Sequence, residues 1–330
     1  MKLIPFLIFL LSFVFSVNAS QEKAKADANQ ANKMTQGKPW LEQLSLALKE
    51  LNYSTSFVVV KNNQAEPYHW FHGVDENAQE LEVLSQLNGP RRDILRKGNV
   101  VSYIEPEQEV YSINSPYISG PIPSVFRHNL EKLEESYRFI SVGRSRVLGR
   151  LAQVVRIVPK DNFRFDHWLW LDQKSGLLLK MAIITRQGQL LEQVQFTHLD
   201  VTDTMSESLT HLKTTELPSV VEVVAAPQNE VPFWRINWLP QGMQVIKSNR
   251  RRISNDKTVE FILLSDGLVE ISVYINPSSV EPRPVEHAND GATLVLTQID
   301  QGLEVSVVGN IPLITAKKIA DSVAPVQANK

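Results

Sequence analysis

Cysteine is absent from all 330 residues. That absence removes thiol nucleophiles, thiolate metal sites and disulfides, and it removes the acylated N-terminal cysteine of a lipoprotein. Neither sign of charge is in excess: 34 Lys and Arg against 36 Asp and Glu leave a formal net charge of -2. No bulk attraction to nucleic acid is therefore expected. Beyond the N-terminal stretch there is no apolar run of about 18 residues, the length a membrane-crossing helix needs. Catalytic signatures are missing as well. There is no Gly-x-Ser-x-Gly elbow, no phosphate-cradling glycine loop, and no helical His-Glu-x-x-His among the seven histidines. His69 and His72 stand three apart in a strand-like run, which sends their side chains to opposite faces and denies them a shared metal. Asp161, Asp166, Asp172 and Asp200 sit in or beside turns, where solvated turn chemistry accounts for them. The reading is a non-enzyme with no cofactor and no metal.

What is present begins with a secretory signal over residues 1–19: Lys2 supplies the positive end, 3–17 the apolar run and Val17-Asn18-Ala19 the small-residue cleavage site. Cleavage is expected after Ala19, with an uncleaved anchor helix as the alternative. Residues 20–37 are Gln, Glu, Lys, Ala and Asn with little apolar bulk, a disordered tether. The remainder is long enough for two domains. We place the first at 38–212, a proline-bearing linker at 213–232, the second domain at 233–323 and a fraying tail at 324–330.

Residues 144–201 organise the first domain. They divide into four apolar-alternating runs separated by breaks at 159–162, 172–176 and 186–189, the pattern of an antiparallel meander. In the second run Phe163, Phe165, Leu169 and Leu171 share one side while Trp168 and Trp170 take the other. Both faces thus carry large apolar groups. Either the protein covers both, or one lines a ligand cavity. Upstream, Leu41, Leu44, Leu48 and Leu51 mark a helix from Pro39, and short strands follow between residues 53 and 113. A second helix is expected over 124–137, with Phe126, Leu130, Leu133 and Tyr137 on one face. The helical pair either closes the sheet's concave face as a lid or is purely structural. In the second domain Trp234 and Trp238 lie four apart, and Asp266-Gly267 and Asp300-Gln301-Gly302 are hairpin signals between residues 245 and 308. Residues 276–291 read as a polar loop, and Pro312 starts a closing helix.

Two basic clusters remain: Arg144, Arg146, Arg150 and Arg156, and the triplet Arg250-Arg251-Arg252. Guanidinium groups bind phosphates and carboxylates in bidentate fashion, so lipid headgroups or an acidic partner suit them; solvated loop charge is the alternative.

The motifs LNGPRRDILRKGNVVSYIEP (87–106), FISVGRSRVLGRLAQVVRIVPKDNFRF (139–165), NWLPQGM (237–243), LLSDGLVEISVYIN (263–276) and VVGNIPLITAKKIADSV (307–323) occur in one order. In this the chain resembles the RseB/MucB family of periplasmic regulators of the sigma-E envelope stress response, from about residue 40 to 323. The resemblance implies an α+β protein. Its N-terminal domain is a LolA/LolB-like open antiparallel β-barrel covered by helices, which senses lipid, and a smaller α+β C-terminal domain binds the partner. It also implies a periplasmic location and binding to the periplasmic domain of the anti-sigma factor RseA, which is thereby shielded from the protease DegS. Lipopolysaccharide or mislocalised lipoprotein acyl chains are the implied releasing signal. At Leu151-Ala152 the chain departs from relatives expected to carry cysteine.

The resemblance does not single out contact residues. From charge and exposure we assign Phe165, Trp168 and Trp170, with Arg144, Arg146, Arg150 and Arg156, to the lipid, and Trp234, Trp238, Arg250, Arg251 and Arg252 to the partner. A periplasmic lipid or lipoprotein carrier is the competing reading, and a hydrolase the third. A monomer and a homodimer both stay open.

Overall fold

The computed structural model describes residues 37–128, 130–221, 232–254 and 257–326. The expected signal sequence, nearly all of the tether, linker residues 222–231 and tail residues 327–330 lie outside them.

The first domain is built on one open sheet of eleven antiparallel strands. Helix α1 (Lys38–Glu50) precedes β1 (Asn52–Lys61), β2 (Gln64–Val74), β3 (Glu80–Gln86), β4 (Arg92–Lys97), β5 (Val100–Ile104) and β6 (Tyr111–Asn114). A 3-10 turn (Ser124–Arg127) and the short α2 (Leu130–Glu134) interrupt the meander. It resumes as β7 (Tyr137–Val147), β8 (Arg150–Pro159), β9 (Asp166–Asp172), β10 (Leu178–Ile184) and β11 (Leu190–Thr202). The spatial order β6-β5-β4-β3-β2-β1-β11-β10-β9-β8-β7 joins the two meanders through the β1–β11 pair and leaves β6 and β7 as edges. Alternation sets the faces. Tyr53, Thr55, Phe57 and Val59 of β1 are buried while their neighbours are half-exposed. Three of the four leucines expected on the α1 stripe, Leu41, Leu44 and Leu48, are buried in the same core, whereas Leu51 falls past the end of the helix in extended backbone and is only half-buried. On the other face, α3 (Glu207–Thr214) covers part of the sheet with Leu209 and Leu212 against Leu81.

Three expectations for this domain change. Residues 144–158 are not one run but the end of β7, a two-residue turn and β8, which also takes in Pro159. Leu148 and Gly149 both have positive φ (54° and 71°), as a twisted hairpin turn requires, and an apolar leucine at such a position hides the turn from sequence. Phe163 and Phe165 precede the strand that contains Leu169 and Leu171 instead of belonging to it. The single helix expected over 124–137 is instead a 3-10 turn over Ser124–Arg127, broken at the extended His128, and the separate short α2, which stops at Glu134. Ser136 N–H donates to the Leu133 carbonyl, and Tyr137 pairs with Pro159 as the first residue of β7.

The second domain holds a six-stranded antiparallel sheet of β13 (Gln244–Ser254), β14 (Lys257–Ser265), β15 (Glu270–Pro277), β16 (Arg283–Asp290), β17 (Thr293–Asp300) and β18 (Leu303–Gly309), in the order β13-β14-β15-β18-β17-β16. Helix α4 (Leu313–Asp321) buries Ala316, Ile319 and Ala320. The stretch expected as a polar loop contains β16. Its polarity is that of an exposed edge strand, where charge discourages further pairing. The tail expected to fray from Ala324 is instead pinned as β19 (Val323–Pro325) against β12 (Trp234–Ile236). The α+β architecture is thus a large open antiparallel sheet with helices, joined to a smaller sheet-and-helix domain. A single apolar core cluster runs through both.

Candidate functional site

Where the domains meet, charge is buried. Arg164 lies between β8 and β9, and its side chain is fully excluded from water. Its guanidinium donates to Asp161 and, at 2.7 Å, to Asp266 of the second domain. The Tyr137 hydroxyl donates to the same Asp266 oxygen at 2.6 Å, while its other oxygen accepts the N–H groups of Leu268 and Val269. Burial, and then the Asp266 charge, push the Tyr137 phenol well above its ordinary pKa. Burial alone would lower the Arg164 pKa, but Tyr137, Asp161 and Asp266 outweigh it and raise it. Around this knot Thr315 donates to the Phe163 carbonyl at 2.7 Å and Ser136 to the Gln241 carbonyl at 2.9 Å. Phe163 meets Trp238 edge-on at 4.8 Å, with Lys318 over both rings. A second, more exposed clasp joins Lys61 and Asn62 to Asp290, at 2.7 and 2.9 Å.

Between the domains opens a cleft of about 350 Å³, lined by residues 117–124, His167, Met181, Ile183 and Glu192 of the first domain and by residues 267–270, Gly309 and Asn310 of the second. His167 is 3% exposed, and its Nδ1 has no hydrogen-bond partner. Burial draws its pKa down to about 4, against the opposing pull of Asp266. Burial raises the Glu192 carboxyl. An adjoining cleft of about 320 Å³ shares Tyr117, Ser124 and Gly267 and adds His128 and Lys132. Inside the first domain is a much smaller apolar chamber, about 20 Å³, between Phe57, Trp70, Leu84, Ile118 and residues 120–122.

Beside that chamber sits a second buried ion network. Arg96 and Arg127 both reach the carboxylates of Glu80 and Glu82. Trp70 Nε1 donates to Glu82 at 2.9 Å. Burial pushes the Glu80 carboxyl up, but the His72 hydrogen bond and the charges of Arg96 and Arg127 prevail and bring it down to about 2. His72, Glu80 and Glu82 place ligand-type atoms within 4.8 Å of one another, a metal-like spacing. The two guanidinium groups already supply the positive charge those carboxylates need, so the chemistry is that of an ion network.

The residues singled out from sequence are spread more widely. Trp168 and Trp170 stack at 6.1 Å on the face opposite Leu169 and Leu171, half-buried, with Arg156 over the first ring and Lys180 over the second. Neither they nor Phe165 line the clefts or the chamber. Arg156 pairs with Asp166 and Arg150 with Asp172, while Arg144 and Arg146 are exposed along the β7 edge. Trp238 is engaged at the domain junction. Trp234 is half-buried in β12, and Arg250 lies 3.5 Å over the Phe233 ring. The side chains of Arg251 and Arg252 fall outside the described residues. Sequence reasoning missed Tyr137, Arg164, His167 and Asp266, and also Glu80, Glu82, Arg96 and Arg127. The one available signal was Arg164 between two phenylalanines, a charge inside an apolar run.

Comparison with known proteins fits both domains to one lineage. Residues 36–221 match the MucB/RseB N-terminal domain and residues 228–324 the MucB/RseB C-terminal domain. The chain belongs to the MucB/RseB family. It is 32% identical over 317 residues to the sigma-E factor regulatory protein RseB of Escherichia coli K12, covering 94% of each chain. It is 30% identical over 325 residues to the sigma factor AlgU regulatory protein MucB of Pseudomonas aeruginosa, covering 97% of this chain and 96% of that one. Among solved structures of the family, MucB in complex with MucA(peri) superimposes with a TM-score of 0.70 at 29% identity, over 88% of this chain and all of that one. MucB solved alone superimposes with 0.58 at 27% identity, over 88% of this chain and 98% of that one. The relatives are regulatory proteins of sigma factors. No described helix is long and apolar enough to cross a membrane.

Proposed function

We propose that this protein is a periplasmic negative regulator of a sigma-E-type stress response. It binds the periplasmic domain of an anti-sigma factor of the RseA or MucA kind, shields it from DegS cleavage, and lets go when lipopolysaccharide or mislocalised lipoprotein binds. The observation that carries this reading is the near full-length likeness, across both domains, to MucB solved with MucA(peri). Binding instead of catalysis is the chemistry the junction supports. Its buried Tyr, Arg and Asp are spent on one another, and its clefts lie between two domains that a partner or ligand can bridge. For an amphiphile to act as the releasing signal it must bind the released form better than the complexed one, because equal affinity shifts nothing.

The test is capture. The chain from residue 20 onward should retain the periplasmic domain of its anti-sigma factor and lose it on addition of lipopolysaccharide. Retention of no partner in either condition would favour the lipid-carrier reading. Replacing Arg250, Arg251 and Arg252 together should weaken the complex about tenfold or more by calorimetry if the triplet meets an acidic partner. Unchanged affinity would remove it from the site.

A further inference from the structure

Trp168 and Trp170 line none of the clefts described above, and strand register shows what surrounds them instead. Across β7, β8, β9 and β10 two rows cross the outer side of the sheet: Ile140, Arg156, Trp168 and Ala182 in one, Gly143, Val154, Trp170 and Lys180 in the other. Val154 and Ala182 are buried beside the indoles, while Leu169 and Leu171 point the opposite way into the core. The indoles themselves stay half-buried. Trp70, an indole of the core, spends its N–H on Glu82, but neither Trp168 nor Trp170 gives its N–H to any described protein group. Helix α3 covers the same side of the sheet only at its other half, over β2 and β3.

The unspent charge around the pair is of one sign. Arg156 lies 4.7 Å over the Trp168 ring and Lys180 4.8 Å over the Trp170 ring. The only carboxylates in these four strands, Asp166 and Asp172, are already taken by Arg156 and Arg150. Among the described residues no carboxylate pairs with Arg138, Arg144, Arg146 or Lys180. Burial lowers the Lys180 pKa, and no acid opposes it. Unneutralised cations therefore gather on one face of a chain whose formal net charge is -2. From Arg138 on β7 to Lys180 on β10 is three strand spacings, roughly 14 Å, a width that suits a surface better than a small ligand.

We propose that the outer face of β7 to β10 docks the protein on an anionic phospholipid bilayer, with the two indoles at the water boundary and the unpaired cations against lipid phosphates. Indole favours that boundary because its ring is apolar and its N–H stays wet. Each Lys or Arg beside an anionic surface adds roughly fivefold in affinity. A bilayer is favoured over an acidic protein because mobile lipids bring a phosphate to each cation wherever it stands, with no fixed pattern of carboxylates to match. The interior of the sheet takes no part in this contact. For a regulator of the kind proposed above, docking confines the search for a partner's periplasmic domain to the membrane plane, but docking itself does not rest on that reading.

Flotation of the chain from residue 20 onward with lipid vesicles tests this. Wild type should rise with vesicles that contain phosphatidylglycerol, not with pure phosphatidylcholine, and should be released as salt is raised. Arg138→Glu with Lys180→Glu, two changes outside the core, should bind at least about tenfold more weakly. Arg235→Glu with Lys317→Glu alters the net charge equally from exposed sites in the second domain and should stay close to wild type. Trp168→Phe with Trp170→Phe keeps the ring bulk, and in it the quenching of tryptophan fluorescence by brominated lipid should largely vanish. Thermal melts check that each variant is folded. Wild type that floats with neither vesicle, equal loss in the face and control variants, or quenching undiminished by the Phe pair would each overturn the proposal, the last because lipid would then be meeting other indoles. A face variant that floats like wild type but no longer captures the anti-sigma factor's periplasmic domain would make the face a protein interface and overturn it likewise.

Discussion

At the scale of single residues, the carboxylate of Asp266 carries the junction. It accepts from Tyr137, Arg164, Leu268 N–H and Val269 N–H, and nearly all of this is out of water. Asp266→Ala takes from buried Arg164 one of its two carboxylates and leaves the Tyr137 hydroxyl and the Leu268 and Val269 N–H groups without their acceptor, so it should cost about 3–5 kcal/mol by denaturant unfolding. Replacing all three side chains by apolar groups (Tyr137→Phe, Arg164→Met, Asp266→Leu) should cost less than that single change. A single-variant loss below about 1 kcal/mol would show that the knot is solvated in solution. His167 gives a pH signature. Its folded pKa lies near 4 against an ordinary 6.5, a depressed value, so the stability it contributes is complete above pH 6.5, falls as pH drops to about 4 and is level below. Asp166 and Asp266 act on it and Glu192 lines the same cleft. Melting temperatures of wild type and His167→Asn should converge between pH 6.5 and 4; parallel curves would contradict this. Glu80, depressed from 4.5 to about 2, adds a separate loss as pH falls from about 4.5 to about 2.

At the scale of elements, legibility followed local signal. Leu41, Leu44 and Leu48 of α1 were plain because spacing alone decides them. The spacing of Phe126, Leu130, Leu133 and Tyr137 fits one helix, yet Tyr137 is drawn into β7 by a hydroxyl partner 129 positions away. Alternation at Trp168 and Trp170 gave two faces but could not say which face the protein covers. The Leu148-Gly149 turn escaped notice because leucine is a poor occupant of a positive φ. That poor fit is testable. Leu148→Asn should raise stability by about 1 kcal/mol, since asparagine tolerates the left-handed region better, and calorimetry showing no gain would argue against the turn.

At the scale of the whole molecule, family membership was legible from motif order across both domains, whereas the way the domains lock was not. Arg164 and Asp266 stand 102 positions apart, and nothing local in either segment advertises the pairing. Asp266-Gly267 reads as an ordinary hairpin turn until the first domain is placed against it. The same view ranks the two ion pairs described between the domains. The exposed Lys61–Asp290 clasp should matter little, so Asp290→Ala should change unfolding free energy by about 1 kcal/mol or less, far below the Asp266 effect. Comparable losses at both sites would mean that the junction is held by its rim. Regulated binding is what the two locked domains are proposed to perform. The most direct measurement is a calorimetric titration of the chain from residue 20 onward with the periplasmic domain of its anti-sigma factor, repeated in the presence of lipopolysaccharide. A complex that forms without lipid and weakens at least about tenfold with it is the predicted result, and equal affinity in the two titrations, or none in either, would contradict it.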